Sequence, residues 1–219
     1  MVTYEDVLRN ESLRVYIKEA DASLGVLEYT EHSFAHVGIV ADRAGKILTA
    51  LGADERQIEL AKIAGYMHDV GNLVNRVEHS QSGALIAFRI LDKMGMSPED
   101  IAIIVSAIGN HDEGTGVPVN DVAAALIIAD KTDVRRTRVR NADFSRFDIH
   151  DRVNYSAEES RLDIDTEARI IRLSLTIDTS ISSIMDYFEI FLQRMLMCRR
   201  SAARLGLTFK LFINEQELI

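Results

Sequence analysis

Ala64-Gly65-Tyr66-Met67-His68-Asp69-Val70-Gly71-Asn72 is the stretch on which the rest of the chain depends. It closes a segment in which Ile58, Ala61, Ile63, Ala64 and Met67 recur at helical spacing behind Asp54, a residue suited to cap a helix. Gly71 is suited to stop that helix. A histidine followed directly by an aspartate at a helix end puts an imidazole and a carboxylate within reach of one metal ion. A single His-Asp pair is common by chance. The pair gains weight from an ordered series around it, with His36 before and His79, His111 and Asp130 after, all on segments that read as helix or helix end.

Working outward, residues from about Tyr4 to Ala22 suit a first helix. Glu31 to Leu51 suits a second, with Phe34, Val37, Val40, Ala41, Ala44, Ile47 and Leu48 as its apolar stripe. After the His-Asp pair, about Ser80 to Met94 reads as helix. Ser97-Pro98-Glu99-Asp100 is a strong start for another, reaching about Asn110, and Asp121 to Asp133 is apolar and helical. Six helical segments with short links predict a bundle over residues 1–140.

The pattern then changes. Residues 141–165 are polar and read as a connector of loop and short helical pieces. Over residues 166–219, Ile171, Leu173, Leu175 and Ile177 alternate with polar residues as in a half-buried strand. A long helix follows from Thr179 or Ser180 to about Leu205, with Ile181, Ile184, Met185, Phe188, Phe191, Leu192, Met195 and Leu205 as its apolar face. Leu207, Phe209, Leu211 and Ile213 alternate again as a last strand. The fold class is therefore mainly α: a helical bundle followed by a small strand–helix–strand segment. Two strands are too few for a stable sheet. That deficit predicts a homodimer formed through this segment.

Composition narrows the function. A net charge of −9 argues against non-specific nucleic-acid or anionic-membrane binding, which needs a basic surface. Cys198 is the only cysteine, so no intramolecular disulfide can form, and a cytoplasmic location is the simplest expectation. No apolar run approaches the ~18 residues of a membrane span.

The ligand series has a chemical logic. Hydrolysis at a metal requires several neutral or anionic ligands on the ion and one position open to water, whose pKa the ion lowers. Mixed imidazole and carboxylate donors suit Fe, Mn, Zn or Co, with Ni and Mg as further candidates. Asp130 follows seven apolar residues, Ala123–Ala129, where an unpaired carboxylate would be costly.

His36-Val37-Gly38-Ile39-Val40, His68-Asp69-Val70-Gly71 and Ala129-Asp130-Lys131, in this order over about residues 30–135, resemble the HD superfamily of metal-dependent phosphohydrolases. The resemblance implies that His36, His68, Asp69 and Asp130 hold one divalent ion. His79 and His111 fall where dinuclear members place the ligands of a second ion, which Asp69 would bridge. His111-Asp112-Glu113-Gly114-Thr115-Gly116-Val117-Pro118 is similar to a shortened HD-GYP loop, with Asp112 in place of a second histidine and Val117 in place of tyrosine. That departure argues against a cyclic di-GMP phosphodiesterase proper. His32 and Asp112 are candidates for additional ligands or for groups that orient them.

Many members carry a lysine where this chain has Asn72. Lys131 and the run Arg135, Arg136, Arg138 and Arg140 are candidates to supply the phosphate contact. Asp69 and Lys131 are the candidate catalytic residues. The expected activity is hydrolysis of a phosphoester or phosphoanhydride bond in a small phosphorylated molecule, a nucleotide or dinucleotide, by metal-activated water. The alternatives are a non-catalytic nucleotide-binding module and a mononuclear phosphomonoesterase.

Overall fold

A computed structural model describes all of residues 1–219. The helices are α1 (Tyr4–Leu8), α2 (Glu11–Val26), α3 (Phe34–Ala50), α4 (Glu55–Met67), α5 (His79–Lys93), α6 (Pro98–Gly109), α7 (Asp121–Lys131), α8 (Ile149–Ser156) and α9 (Ile184–Arg204). The strands are β1 (Ala157–Asp165), β2 (Ile170–Ile177), β3 (Thr208–Ile213) and β4 (Gln216–Glu217). The protein is thus a helical bundle with a small C-terminal sheet. No helix is long and apolar enough to cross a membrane.

Helix boundaries follow side-chain chemistry. The expected first helix is two, because Asn10 accepts a hydrogen bond from the Leu13 amide and restarts the chain as α2. Asp54, Ser97 and Asn120 cap α4, α6 and α7 in the same way. α7 is the centre of the bundle: Val122 to Ala129 are all buried, and α3, α4, α6 and α9 pack around it. α3 and α4 approach closely at Gly65, where a Cβ would lie 2.7 Å from Ala41 Cα. Only glycine admits that approach, which brings the end of α4 beside the first turn of α3.

The sheet has the order β1-β2-β3-β4. β1 pairs antiparallel with β2, β2 parallel with β3 across α9, and β3 antiparallel with β4. Pairing of β2 and β3 with each other and with β1 and β4 therefore does not require a second copy of the chain. β1 occupies residues read from the sequence as loop. Only Leu162 and Ile164 give it an apolar signal, because it is an edge strand with little buried surface. α9 starts at Ile184, later than expected. Ser180 instead donates its amide and hydroxyl to Asp178, and Ser183 and Asp186 form the capping box. Its buried face also differs from expectation. Tyr187, Phe191, Met195, Cys198 and Ala202 face inward, while Met185 is 74% and Leu192 44% exposed. α9 packs against α7 on one side and β3 on the other, and one continuous apolar core runs from Val7 in α1 to Ile213 in β3.

Candidate metal centre

The chain delivers its histidines at helix ends. His36 lies in the first turn of α3, His68 caps α4, His79 opens α5, and His111 follows the cap of α6. Asp69 begins a 3-10 turn over Val70–Leu73, and Asp130 lies in the last turn of α7. Before His79, Glu78 adopts a left-handed backbone with φ of +56°, a costly conformation outside glycine that turns the chain into α5.

These side chains converge. His36 Nε2 is 3.4 Å from both Asp69 Oδ2 and Asp130 Oδ1, and His68 Nε2 is 3.2 Å and 3.7 Å from the same two oxygens. Donor atoms bound to one ion at 2.0–2.2 Å stand about 3.0 Å apart at right angles and about 3.4 Å apart in a tetrahedron. The four atoms fit one ion. On the other side of Asp69, His79 Nε2 lies 3.5 Å from Oδ1 and 3.1 Å from His111 Nε2. The Asp69 carboxylate therefore presents one oxygen to each of two donor sets. His32 Nε2 is 4.0 Å from Asp69 Oδ2, and Asp112 Oδ1 is 4.0 Å from His79 Nε2, so both border the cluster.

The ring orientations point to a cation. Every histidine of the cluster has its Nδ1 occupied. His36 donates to Asp133 Oδ2 (2.8 Å), His68 to Gly65 O (2.8 Å), His79 to Arg76 O (3.1 Å), His111 to Ile108 O (2.6 Å) and His32 to Thr30 O (2.7 Å). With Nδ1 protonated, each Nε2 carries a lone pair aimed inward. The Nε2 atoms of His36 and His68, and Asp69 Oδ2, are buried with no hydrogen-bond partner in the chain. Two imidazole lone pairs 3.1 Å apart at His79 and His111 repel unless a positive centre lies between them. The donor set thus fits divalent cations.

Protonation agrees. Burial opposes charge on Asp69 and Asp130, but His68 and His32 for the first, and Lys131 and His36 for the second, hold both well below the usual carboxylate range. Burial would lower the His68 pKa, but Asp69 and Asp130 outweigh it and raise it to about 10. Burial pushes His111 and His32 well below the usual imidazole range. Without a metal, a proton on His68 partly balances the carboxylates, and a bound cation would displace it.

Sequence reasoning missed Asp133, which is fully buried. It accepts from His36 and from Arg135 Nε (2.8 Å), and lies 3.8 Å from Arg43 Nη1. Asp133→Asn is expected to weaken the first ion's binding at least about tenfold, the lower end for losing a carboxylate that orients a ligand imidazole. Competition against a metal chelator measures this, and unchanged affinity would refute it.

A cavity of about 620 Å³ opens from the cluster toward α8 and α9. Lys131 lies on its wall, with Nζ 2.8 Å from Asp130 Oδ2 and 3.2 Å from Glu113 Oε1. Burial opposes its charge, but Asp130 and Glu113 raise its pKa, so it remains a cation. Arg135 and Arg136 do not line the cavity. The first is taken up by Asp133 and Glu31, the second by the Tyr155 carbonyl, the Tyr155 ring and Glu158. The other cations on the wall are Arg76, Arg138 and Arg194. Asn72 donates to the Asp69 carbonyl (2.9 Å) and to Asp69 Oδ1 (3.0 Å), and accepts from Arg76 Nη1 (3.3 Å). It steadies Asp69 and carries a guanidinium beside it.

The chain is 26% identical, over 171 residues, to an uncharacterized protein of Methanocaldococcus jannaschii; the match covers 67% of this chain and 65% of that one. Among solved structures it is similar to a predicted HD superfamily hydrolase from an uncultured Thermotogales bacterium. That similarity has 23% identity and a TM-score of 0.46, over 57% of this chain and 68% of the other. Residues 31–174 match the HD domain family. Because that match takes in α3 to α7, every element that carries the clustered histidines and aspartates, and extends over well over half of the chain, the protein belongs to the HD domain family.

Proposed function

We propose that the protein hydrolyses a phosphoester or phosphoanhydride bond of a nucleotide-sized phosphate compound, with two divalent ions held by His36, His68, Asp69 and Asp130 and by Asp69, His79 and His111. The observation that carries this reading is the Asp69 carboxylate, with one oxygen facing His36 and His68 and the other facing His79. Ions bound there would lower the pKa of a coordinated water toward neutrality and polarise the phosphoryl group.

The chain's own residues supply the rest. Lys131 is buried and charged beside Asp130, which suits it to offset negative charge on the phosphoryl oxygens rather than to take a proton. Arg76 brings a second positive charge, held by Asn72, where many relatives of this pattern have a lysine. The cavity falls within the range typical of small-molecule sites and has room for a mononucleotide.

The test is anaerobic purification, metal analysis, and a phosphate-release screen over nucleotides and dinucleotides after loading with Mn or Fe. The expected result is turnover that chelation abolishes and metal restores. Tight nucleotide binding without turnover under any metal would instead favour a non-catalytic nucleotide-binding module. Full activity with one ion per chain would favour a mononuclear phosphomonoesterase.

A further inference from the structure

Four cations line the cavity, and each has partners in the protein. Lys131 is bound to Asp130 and Glu113. Arg138 donates to the carbonyls of Glu31 and Asp133 (both 3.0 Å). Arg76 reaches Asn72 Oδ1 and His79 Nε2. Arg194 differs. It makes an ion pair with Glu113 (Nε to Oε1, 2.8 Å), and its guanidinium lies over the Phe191 ring at 4.5 Å. Its two terminal nitrogens have no acceptor in the chain.

Its place on α9 is unusual. At 100° per residue, Arg194 lies about 20° from Tyr187 and about 40° from Cys198 around the helix, within the buried stripe. Tyr187 and Cys198 are fully buried, while the Arg194 side chain is 26% exposed, because the cavity lies where an apolar residue would otherwise pack. A guanidinium fixed by stacking and by one carboxylate, on the wall of a cavity that holds a metal-ligand cluster, is suited to receive an oxyanion in bidentate fashion.

The geometry points to Arg194 as a substrate-binding residue that grips phosphate oxygens at the α9 side of the cavity, so that the C-terminal segment completes the site built by the bundle. This rests on the phosphohydrolase reading. It also assigns α9 a role in recognition: Glu113, on the loop after α6, and Phe191 hold the guanidinium in place before substrate arrives.

The test uses the full-length, Mn-loaded protein and inorganic phosphate as probe, with affinity measured by calorimetry, together with KM and kcat on a chromogenic phosphate ester. Arg194→Gln is expected to weaken phosphate binding about 10- to 100-fold, as loss of a charge-assisted pair of hydrogen bonds does, and to raise KM more than it lowers kcat. Arg194→Lys keeps the charge without the fork and should recover part of the affinity; it is also the variant to use if Arg194→Gln does not fold. Arg204→Gln removes the other ion pair joining α9 to the bundle, Arg204 Nε to Asp121 Oδ1 at 3.0 Å, and should leave phosphate binding and turnover unchanged. Phosphate affinity within twofold of wild type in Arg194→Gln, or an equal loss in Arg204→Gln, overturns the assignment and leaves the phosphohydrolase reading intact. Absence of phosphate binding and turnover in the loaded wild-type protein overturns both.

Discussion

Under the proposed two-ion reading, Asp69→Ala is expected to leave at most one tightly bound ion per chain, and to lower phosphate-ester turnover by at least about a thousandfold. The magnitude follows from what one carboxylate does. Oδ2 stands between His36 and His68, and Oδ1 faces His79. Replacing Asp130 or His111 would weaken one donor set; replacing Asp69 weakens both and removes the atom pair that fixes their spacing. Loss of a single oxyanion-stabilising donor typically costs 10²–10³ in rate, and displacement of an ion should exceed that. The fold should survive, because the Asp69 side chain contributes charge to the cluster and no apolar packing. Metal analysis of the variant after loading, a thermal melt in chelator and a steady-state assay separate these effects. Two tightly bound ions in Asp69→Ala, or turnover within tenfold of wild type, would remove Asp69 from the centre of the site.

Much of this site is legible in the sequence because its principal residues sit at positions that local chemistry fixes. His68 follows an amphipathic helix with a recognisable cap. Asp130 ends an apolar run that leaves a carboxylate no cheap alternative, and His79 and His111 occur at helix boundaries. Local pattern and spacing suffice for such residues. Asp133 and Arg194 are different. Asp133 becomes a partner of His36 only because α3 and the end of α7 meet in space, 97 residues apart in the chain. Arg194 reaches the cavity only because α9 folds back over the bundle, and α9 carries two plausible apolar stripes. The sequence reading favours the stripe containing Met185 and Leu192, both exposed, because Tyr187, Cys198 and Ser201 are weaker hydrophobic signals than the leucine and methionine they displace. The one available clue was Arg194 itself, a charge among buried positions.

The arginine run shows the same limit from the other side. Arg135, Arg136, Arg138 and Arg140 are equivalent by composition. Only Arg138 reaches the cavity wall. Arg135 is drawn to Asp133, Arg136 to the Tyr155 carbonyl and ring, and Arg140 to Asp21 on α2. A flexible cation goes to whichever carboxylate, carbonyl or ring the tertiary fold brings near, and charge density along the chain does not identify it. β1 is hard to read for a related reason: it is an edge strand with one buried residue, Ala157, and its apolar alternation is confined to Leu162 and Ile164, where β2 buries Ile171, Leu173, Leu175 and Ile177.

Gly71→Ala should destabilise the protein by about 3 kcal/mol or more, the upper range for overpacking, and so lower its melting temperature by roughly 6–12 °C for a chain of this size. A Cβ at Gly71 would fall well inside contact with the His79 carbonyl oxygen and the Gly83 amide nitrogen, and 2.7 Å from Ser82 Oγ. The serine could rotate away. The other two atoms belong to the backbone of α5 and cannot. Either the 3-10 turn after Asp69 or the start of α5 must retreat by about 1 Å or more to restore ordinary contact. Both movements act on the site. The turn carries Asp69 and Asn72, and α5 opens with His79, whose Nε2 lies 3.5 Å from Asp69 Oδ1. The second donor set should therefore loosen before the first, whose His36 and Asp130 stand on α3 and α7, away from the clash. Gly71→Ala is accordingly expected to keep the first ion and lose the second while melting at lower temperature, and the loss of fold stability distinguishes it from Asp69→Ala. Gly38→Ala on α3 is the matched control, because a Cβ there meets nothing within 4 Å and should be neutral or slightly stabilising. Wild-type melting and two retained ions in Gly71→Ala would mean that the turn and α5 are not pressed together as described. The glycine two residues after the His-Asp pair would then serve only to end the preceding helix.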